Sequence, residues 1–304
     1  MRAALPTGTR KLLQLCVHAA DPANSRTSCS RTGSASAASA VSTGTSSGWV
    51  CTGSVTGLRP GQEVAALTDG GAYAETVVAA AATVFPLPEG VSLRIAATLP
   101  TVLPTAHALV HEVGRLRAGE TVLVQGAAGG IGTVVGQLAK AAGAGAVYGV
   151  VSAEAKAEYA RTYGYDEVFV GPDFDAEVRR ATRGRGVDLA LDPVGGDTFR
   201  RSLDALAVFG RLVSFGNASS AEPWQVGQPE LYPKGRTVSG FSVLGLAGTA
   251  PEALRALTER AFRTVAEGTV ELPVTAEFPL AEAAEAHRLI GSRQSTGKLL
   301  LRVG

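Results

Sequence analysis

Thr121-Val122-Leu123-Val124-Gln125-Gly126-Ala127-Ala128-Gly129-Gly130-Ile131-Gly132 is the stretch that decides the fold. An apolar, β-branched run ends in a glycine-rich loop, and the loop opens a helical pattern from Ile131 to Ala142. A second apolar strand, Ala146–Val151, follows. A loop of this kind needs glycine for a tight turn, for backbone approach to a pyrophosphate and for close packing of helix on strand. The N–H groups at the helix start add donors and the positive end of a dipole for an anion. Strand, loop, helix and strand in that order identify a dinucleotide-binding unit, which a glycine-rich turn in isolation would not.

The same alternation continues downstream. Strands are expected at Glu167–Val170, Val187–Leu191 and Arg211–Phe215, with helices at Ala153–Tyr163, Asp175–Thr182 and Asp197–Ala207. These strands are too apolar for one solvated face, so the pattern predicts an α/β fold with a parallel, doubly wound sheet. Upstream, short strands are expected at Glu63–Leu67, Ala72–Val78 and Val84–Leu87. Leu93 to Glu112 carries helical spacing broken by Pro100 and Pro104, which predicts two short helices meeting at a kink. Beyond the alternation come a strand at Thr237–Val243, helices at Pro251–Glu267 and Ala281–Ile290, and a closing strand at Lys298–Val303.

A chain of 304 residues has room for about two domains. With 45% hydrophobic and 18% charged residues it is not a disordered chain. A formal net charge of +1 leaves no electrostatic case for nucleic acid or another polyanion. No apolar stretch approaches the ~20 residues that a membrane span requires. Cys16, Cys29 and Cys51 make no disulfide framework and lack zinc-lobe spacing, which points to a reduced, cytoplasmic compartment and a metal-independent site. Residues 1–62 differ from the rest: Asp21 is the sole acid against Arg2, Arg10, Lys11, Arg26, Arg31 and Arg59. Ser25 to Ser54 holds ten serines and five threonines with no period of 2.0 or 3.6, so it is expected to form no packed element and to be open to protease. An Arg- and Ser-rich, acid-poor start also suits an organellar targeting segment, a minor reading beside disorder or damage.

The end of the second strand indicates which dinucleotide is bound. An NAD site places Asp or Glu there to take the ribose hydroxyls. Here the chain reads Val150-Val151-Ser152, with Lys156 at the next helix start. A hydroxyl and an ammonium suit a 2′-phosphate that a carboxylate would repel, so NADPH is favoured over NADH. Lys156 could instead pair with Glu154 or Glu158 as an ordinary solvated lysine.

Gly126 to Gly132, Asp192-Pro193-Val194-Gly195-Gly196 and Gly210-Arg211-Leu212-Val213-Ser214-Phe215-Gly216 together resemble the quinone oxidoreductase branch of the zinc-independent medium-chain dehydrogenases/reductases. The resemblance runs from Leu58 to Val303 in order and spacing. It implies a GroES-like substrate domain, split between the two ends of the chain, joined to a Rossmann domain, with hydride transfer from NADPH to a quinone or an α,β-unsaturated carbonyl. The implied division is residues 1–115 for the substrate domain, 116–243 for the Rossmann domain and 244–304 returning to the substrate side. Gly126, Ala127, Ala128, Gly129, Gly130, Ile131 and Gly132 match the pyrophosphate turn, and Ser152 and Lys156 match the 2′-phosphate site. Thr105, in Leu103-Pro104-Thr105, falls at a nicotinamide-side threonine. Val194, Phe215, Gly216, Asn217 and the run Phe241 to Val243 fall where backbone lines the nicotinamide channel, and Arg293, before Gly297, falls at a C-terminal arginine that approaches the cofactor phosphate. Relatives pair the Thr237–Val243 edge across a two-fold axis, which implies a homodimer.

The chain departs from the family between Met1-Arg2-Ala3 and Val55 to Leu67. The usual strands, and the Asn-x-x-Asp and Tyr positions facing nicotinamide and substrate, have no counterpart there, so no catalytic residue is assigned. Residues 9–54 are expected to leave the substrate domain incomplete. An enoyl-thioester reductase, or a non-catalytic NADPH-binding protein, would share the cofactor half. His107 and His111 lie four apart but have no third ligand, and Asp192 reads as a turn and helix-start acid rather than a catalytic one. No tyrosine has lysine four residues on, which removes the short-chain reductases, and the missing acid after the second strand argues against a Rossmann methyltransferase.

Overall fold

The computed structural model describes residues 57–59, 61–68, 70–219 and 222–303, and the backbone alone of Lys11–Gln14 and Trp49–Val50. Those two short pieces are strands, β1 and β2, inside the segment whose composition offered no element. The rest of 9–54, including the protease-sensitive stretch expected at Ser25–Ser54, lies outside the described residues, as do all three cysteines.

Glu63–Ala66 (β3) and Val84–Pro86 (β4) complete an antiparallel sheet in the order β2-β3-β4. Ala72–Val78, expected as a strand, runs as bends instead. The local anchor is tertiary: the Tyr73 hydroxyl and His287 Nε2 share a hydrogen bond of 3.0 Å. Helix α1 (Leu93–Ala96) starts under the Ser92 hydroxyl, and α2 (Leu99–His107) follows after a break at Thr98, close to the expected kink. Pro104 stays inside α2, and the helix then widens into a π turn at Ala108–Glu112. Such a turn accommodates an interrupted hydrogen-bond ladder.

The large sheet is built from β5 (Thr121–Gln125), β6 (Ala146–Val151), β7 (Glu167–Val170), β8 (Val187–Asp192), β9 (Leu206–Ser214) and β10 (Thr237–Gly240). Its order is β7-β6-β5-β8-β9-β10, and every pairing is parallel. The order reverses at β5, which leaves a crevice at the carboxyl ends of β5 and β8. Crossovers are α3 (Gly130–Ala141), α4 (Ala157–Thr162), α5 (Phe174–Ala181) and α6 (Gly196–Asp204). Alternate residues feed opposite faces: Val122 and Val124 enter one core with Leu189, Leu191 and Val213, while Leu123 enters the other with Tyr148, Ala190 and Leu212. Burial on both faces is what the near-continuous apolar strands require.

Two boundaries differ from expectation. Strand β9 begins at Leu206, where helix was expected, because the Ala205 carbonyl accepts from Val187 N–H (3.0 Å) and pulls the chain into the sheet. Strand β10 stops at Gly240 and Val243 is a helical residue, because the Ser242 side chain caps a new helix, α8 (Val243–Thr249), by accepting from Gly245 N–H at 3.1 Å. After α7 (Gln228–Leu231) and α8 come α9 (Pro251–Ala266), an unexpected strand β11 (Val274–Pro279), α10 (Ala283–Gly291) and β12 (Lys298–Val303). β12 pairs β11 in parallel and β1 antiparallel, so the two ends of the chain share a sheet. No helix among the described residues is long and apolar enough to cross a membrane.

Candidate functional site

The chain leaves β5 through Gly126, whose φ of 68° lies in the left-handed region. Ala127 N–H donates to Val150 O (3.1 Å), and Gly129 N–H donates back to Gly126 O (2.9 Å). At Gly132, in the first turn of α3, a Cβ would stand 2.4 Å from Gly126 O and 2.7 Å from Ala127 O. Only glycine lets the helix sit that close to the loop. No side chain caps α3. Ala127 and Ala128 are buried beneath the loop, Gly126 and Gly129 are exposed, and Gly130 and Ile131 are half-buried, so a row of backbone faces outward.

Two tyrosines that the sequence did not single out brace this loop. The buried Tyr165 hydroxyl donates to Gly132 O (2.7 Å). Tyr159 donates to Thr133 Oγ1 (3.2 Å), which donates in turn to Gly129 O (2.9 Å). Burial pushes the Tyr159 phenol up to about 12 against the opposing bond to Thr133, and burial also pushes Tyr165 well up, so both remain protonated donors. A third brace is Gly297, whose N–H donates to Ala128 O (2.9 Å). No local signal at Gly297 marks this contact, which joins residues far apart in the chain.

Just past α10, Arg293 takes a left-handed φ of 57°, and its N–H donates to Ile290 O at 3.0 Å. Ser152 is exposed at the end of β6, and Lys156 is half-buried one short turn later. Burial lowers the Lys156 pKa, and the positive charge of Arg293 lowers it further, so each cation lies within the field of the other. Among the described residues neither is in an ion pair, and the pairing of Lys156 with Glu154 or Glu158 does not form.

The other wall of the crevice is a ladder of backbone bonds past the strand ends. Phe215 N–H donates to Asp192 O (2.9 Å), and Phe241 N–H donates to Ser214 O (3.0 Å). Val194, Phe215, Gly216, Asn217 and Phe241 are thereby held beside one another. The rings of Phe215 and Phe241 pack on the core that contains Leu103, Ala106 and Ala128. Val243 is buried at the start of α8. Thr105 is buried on α2, and its Oγ1 has no hydrogen-bond partner among the described residues. An open loop of backbone donors, two cations without an ion-pair partner among the described residues and an orphaned hydroxyl are the groups that a phosphorylated dinucleotide would satisfy.

His107 and His111 meet with ring centroids 4.5 Å apart. Burial first, and then the neighbouring His111, lowers His107 to about 4. Among the described residues no group of three or more His, Cys, Asp or Glu could hold a metal ion.

Residues 130–259 match the family described as zinc-binding dehydrogenase. The quinone oxidoreductase of Pseudomonas aeruginosa is 36% identical over 253 residues, covering 81% of this chain and 76% of that protein. This chain belongs to the quinone oxidoreductase-like medium-chain dehydrogenases/reductases. A member from Escherichia coli, a quinone oxidoreductase complexed with NADPH, superposes with a TM-score of 0.75 at 30% identity, over 83% of this chain and 79% of that one. The family fold is thus an α/β Rossmann sheet with a GroES-like partner domain. A phthioceranic/hydroxyphthioceranic acid synthase of Mycobacterium tuberculosis is 34% identical over 253 residues, covering 82% of this chain. The chain spans 12% of that synthase's length. The zinc in the family description has no cage among the described residues of this member.

Proposed function

We propose that this protein is an NADPH-dependent, metal-independent reductase of quinones or α,β-unsaturated carbonyls. The observation that carries the reading is the glycine-rich loop after β5, whose backbone is open at the point where the strand order reverses, with Lys156 and Arg293 unpaired with any described carboxylate. The loop from Gly126 to Gly132 would hold the pyrophosphate, with Ser152, Lys156 and Arg293 on the 2′-phosphate. Thr105, Val194, Phe215 to Asn217, Phe241 and Val243 would flank the nicotinamide. When bound, NADPH supplies a hydride to the electron-poor acceptor. The protein's part is to orient the two partners and exclude water, so no acid/base pair is required.

The division into residues 1–115, 116–243 and 244–304 fits this assignment, with the cofactor half in the middle. Strand β10 ends the large sheet with an edge that has no partner strand among the described residues, and a second copy would cover it across a two-fold axis. A reduced, cytoplasmic setting suits a chain with three cysteines and no disulfide framework. The likeness to a stretch of an acid synthase favours a second reading, reduction of an enoyl thioester, which changes the acceptor and leaves the cofactor site intact.

Steady-state oxidation of NADPH by a simple quinone, beside fluorescence titration with NADPH and NADH, tests the proposal. The expected result is turnover with NADPH and weaker binding of NADH. Binding without turnover by quinone, enone or enoyl thioester would make the protein a cofactor-binding protein instead.

A further inference from the structure

Asp192 lies at the end of β8, at the crevice where the strand order reverses, and it is fully buried. Its Oδ1 accepts from Val194 N–H at 2.6 Å and from Gly195 N–H at 3.2 Å. Both donors precede α6, and no side chain caps that helix, so the carboxylate holds a turn and does not start the helix. The opposite side of the turn is held too: Pro193 O accepts from Ala218 N–H (3.0 Å) and Val194 O from Ser219 N–H (2.9 Å). The segment 193–195 is therefore gripped between a carboxylate and the loop that carries Phe215, Gly216 and Asn217.

The cost of this arrangement is visible in the second oxygen. Asp192 Oδ2 is buried and has no hydrogen-bond partner among the described residues. Burial pushes the carboxyl up to about 6 despite the two N–H bonds, and no nearby cation offsets it. An acid that served only to close a turn would be expected at the surface, where both oxygens meet water. This one sits inside the crevice wall, out of reach of a ligand, and acts on whatever the turn touches.

The geometry points to Asp192 as a positioning residue that sets Val194 against the nicotinamide end of the cofactor. This rests on the cofactor assignment proposed above. Asp192 contributes to holding the reactive half and not to holding the adenosine half, which binds at the far side of β5.

The test compares two ligands on the full-length protein by calorimetry: NADPH, and 2′-phospho-ADP-ribose, which lacks nicotinamide. Asp192→Ala should weaken NADPH about tenfold or more while 2′-phospho-ADP-ribose stays within about twofold, since only the first ligand reads the turn. Asp192→Asn keeps the acceptor oxygen and should restore most NADPH affinity. Should Asp192→Ala not fold, Asp192→Ser, whose shorter acceptor cannot span both N–H groups, should show the same selective loss to a smaller degree. Equal losses for both ligands, or no loss for NADPH, would overturn the assignment. Failure of the unmutated protein to bind either ligand would instead overturn the cofactor reading, and this inference with it.

Discussion

At the scale of single residues, the chemistry is carried by charges that burial or isolation has moved from their usual behaviour. Burial and the charge of Arg293 both disfavour the Lys156 ammonium, so Lys156 adds nothing to the stability of the fold by pairing. Lys156→Ala should therefore cost little stability and much NADPH affinity. A charge-assisted contact is worth about 1.5–3 kcal/mol, so a roughly tenfold to hundredfold loss is expected, with NADH hardly affected. Equal affinity of the unmutated protein for both cofactors would refute the 2′-phosphate assignment. Asp192 gives a pH signature of its own. Its folded pKa is raised to about 6 from 3.8, so its contribution to stability is fully present below about 4 and is lost as pH rises through about 6. Asp192→Asn has no such titration. Between pH 4 and 7 the stability difference should move in the variant's favour by about 1–3 kcal/mol. Urea titrations at the two pH values measure this, and a difference independent of pH would count against a buried, ionising carboxyl.

At the scale of elements, the glycine-rich loop is first of all a packing device. The loop closes because α3 comes within van der Waals reach of the carbonyls of Gly126 and Ala127. Gly132→Ala would force them apart, and overpacking of this kind costs about 1–3 kcal/mol. Because the displaced atoms are those that would face a pyrophosphate, NADPH affinity should fall along with the melting temperature. A variant that melts as the parent does and binds as the parent does would show that the loop tolerates the helix farther away. The π turn after α2 and the left-handed Phe209 in β9, which is 74% exposed, are two further places where element geometry departs from the regular.

At the scale of the molecule, the sheet is tied at the end away from the crevice by Asp188. Its Oδ2 accepts from the Thr121 N–H (2.8 Å) and hydroxyl (2.9 Å), and Arg185 pairs with the same carboxylate. Burial alone would raise its pKa, but the bonds from Arg185 and Thr121 outweigh burial and hold it at about 2. The stability it confers is present above about 4 and lost as pH falls toward 2. Asp188→Asn should flatten the acid limb of the stability curve, and acid titrations followed by circular dichroism would expose an unchanged limb. At the opposite edge of the sheet, β10 leaves one row of backbone groups without a partner strand among the described residues. Sedimentation at micromolar concentration should give a dimer, and a monomer there would remove the two-fold pairing through this edge.

Local chemistry made the glycine-rich loop and the strand alternation from Thr121 to Leu191 legible in the sequence, because each rests on residues within a few positions of one another. Glycine spacing and apolar runs act through backbone sterics and periodicity, which need no distant partner. The same local reading overran at Ala205 and at Val243, where the sheet and the Ser242 cap decide the boundaries. It found no element in 9–54, yet β1 and β2 form by pairing with β12 and β3, strands whose positions no nearby residue encodes. It missed β11, whose partner is β12, and Tyr159, Tyr165 and Gly297 as braces of the loop. The influence of the Arg293 charge on Lys156, two positions the resemblance had already named, and the sealing of Asp192 within the crevice wall arise only in the folded chain. Both states depend on burial and on contacts between residues far apart in the chain, and those energies exist only once the sheet has closed.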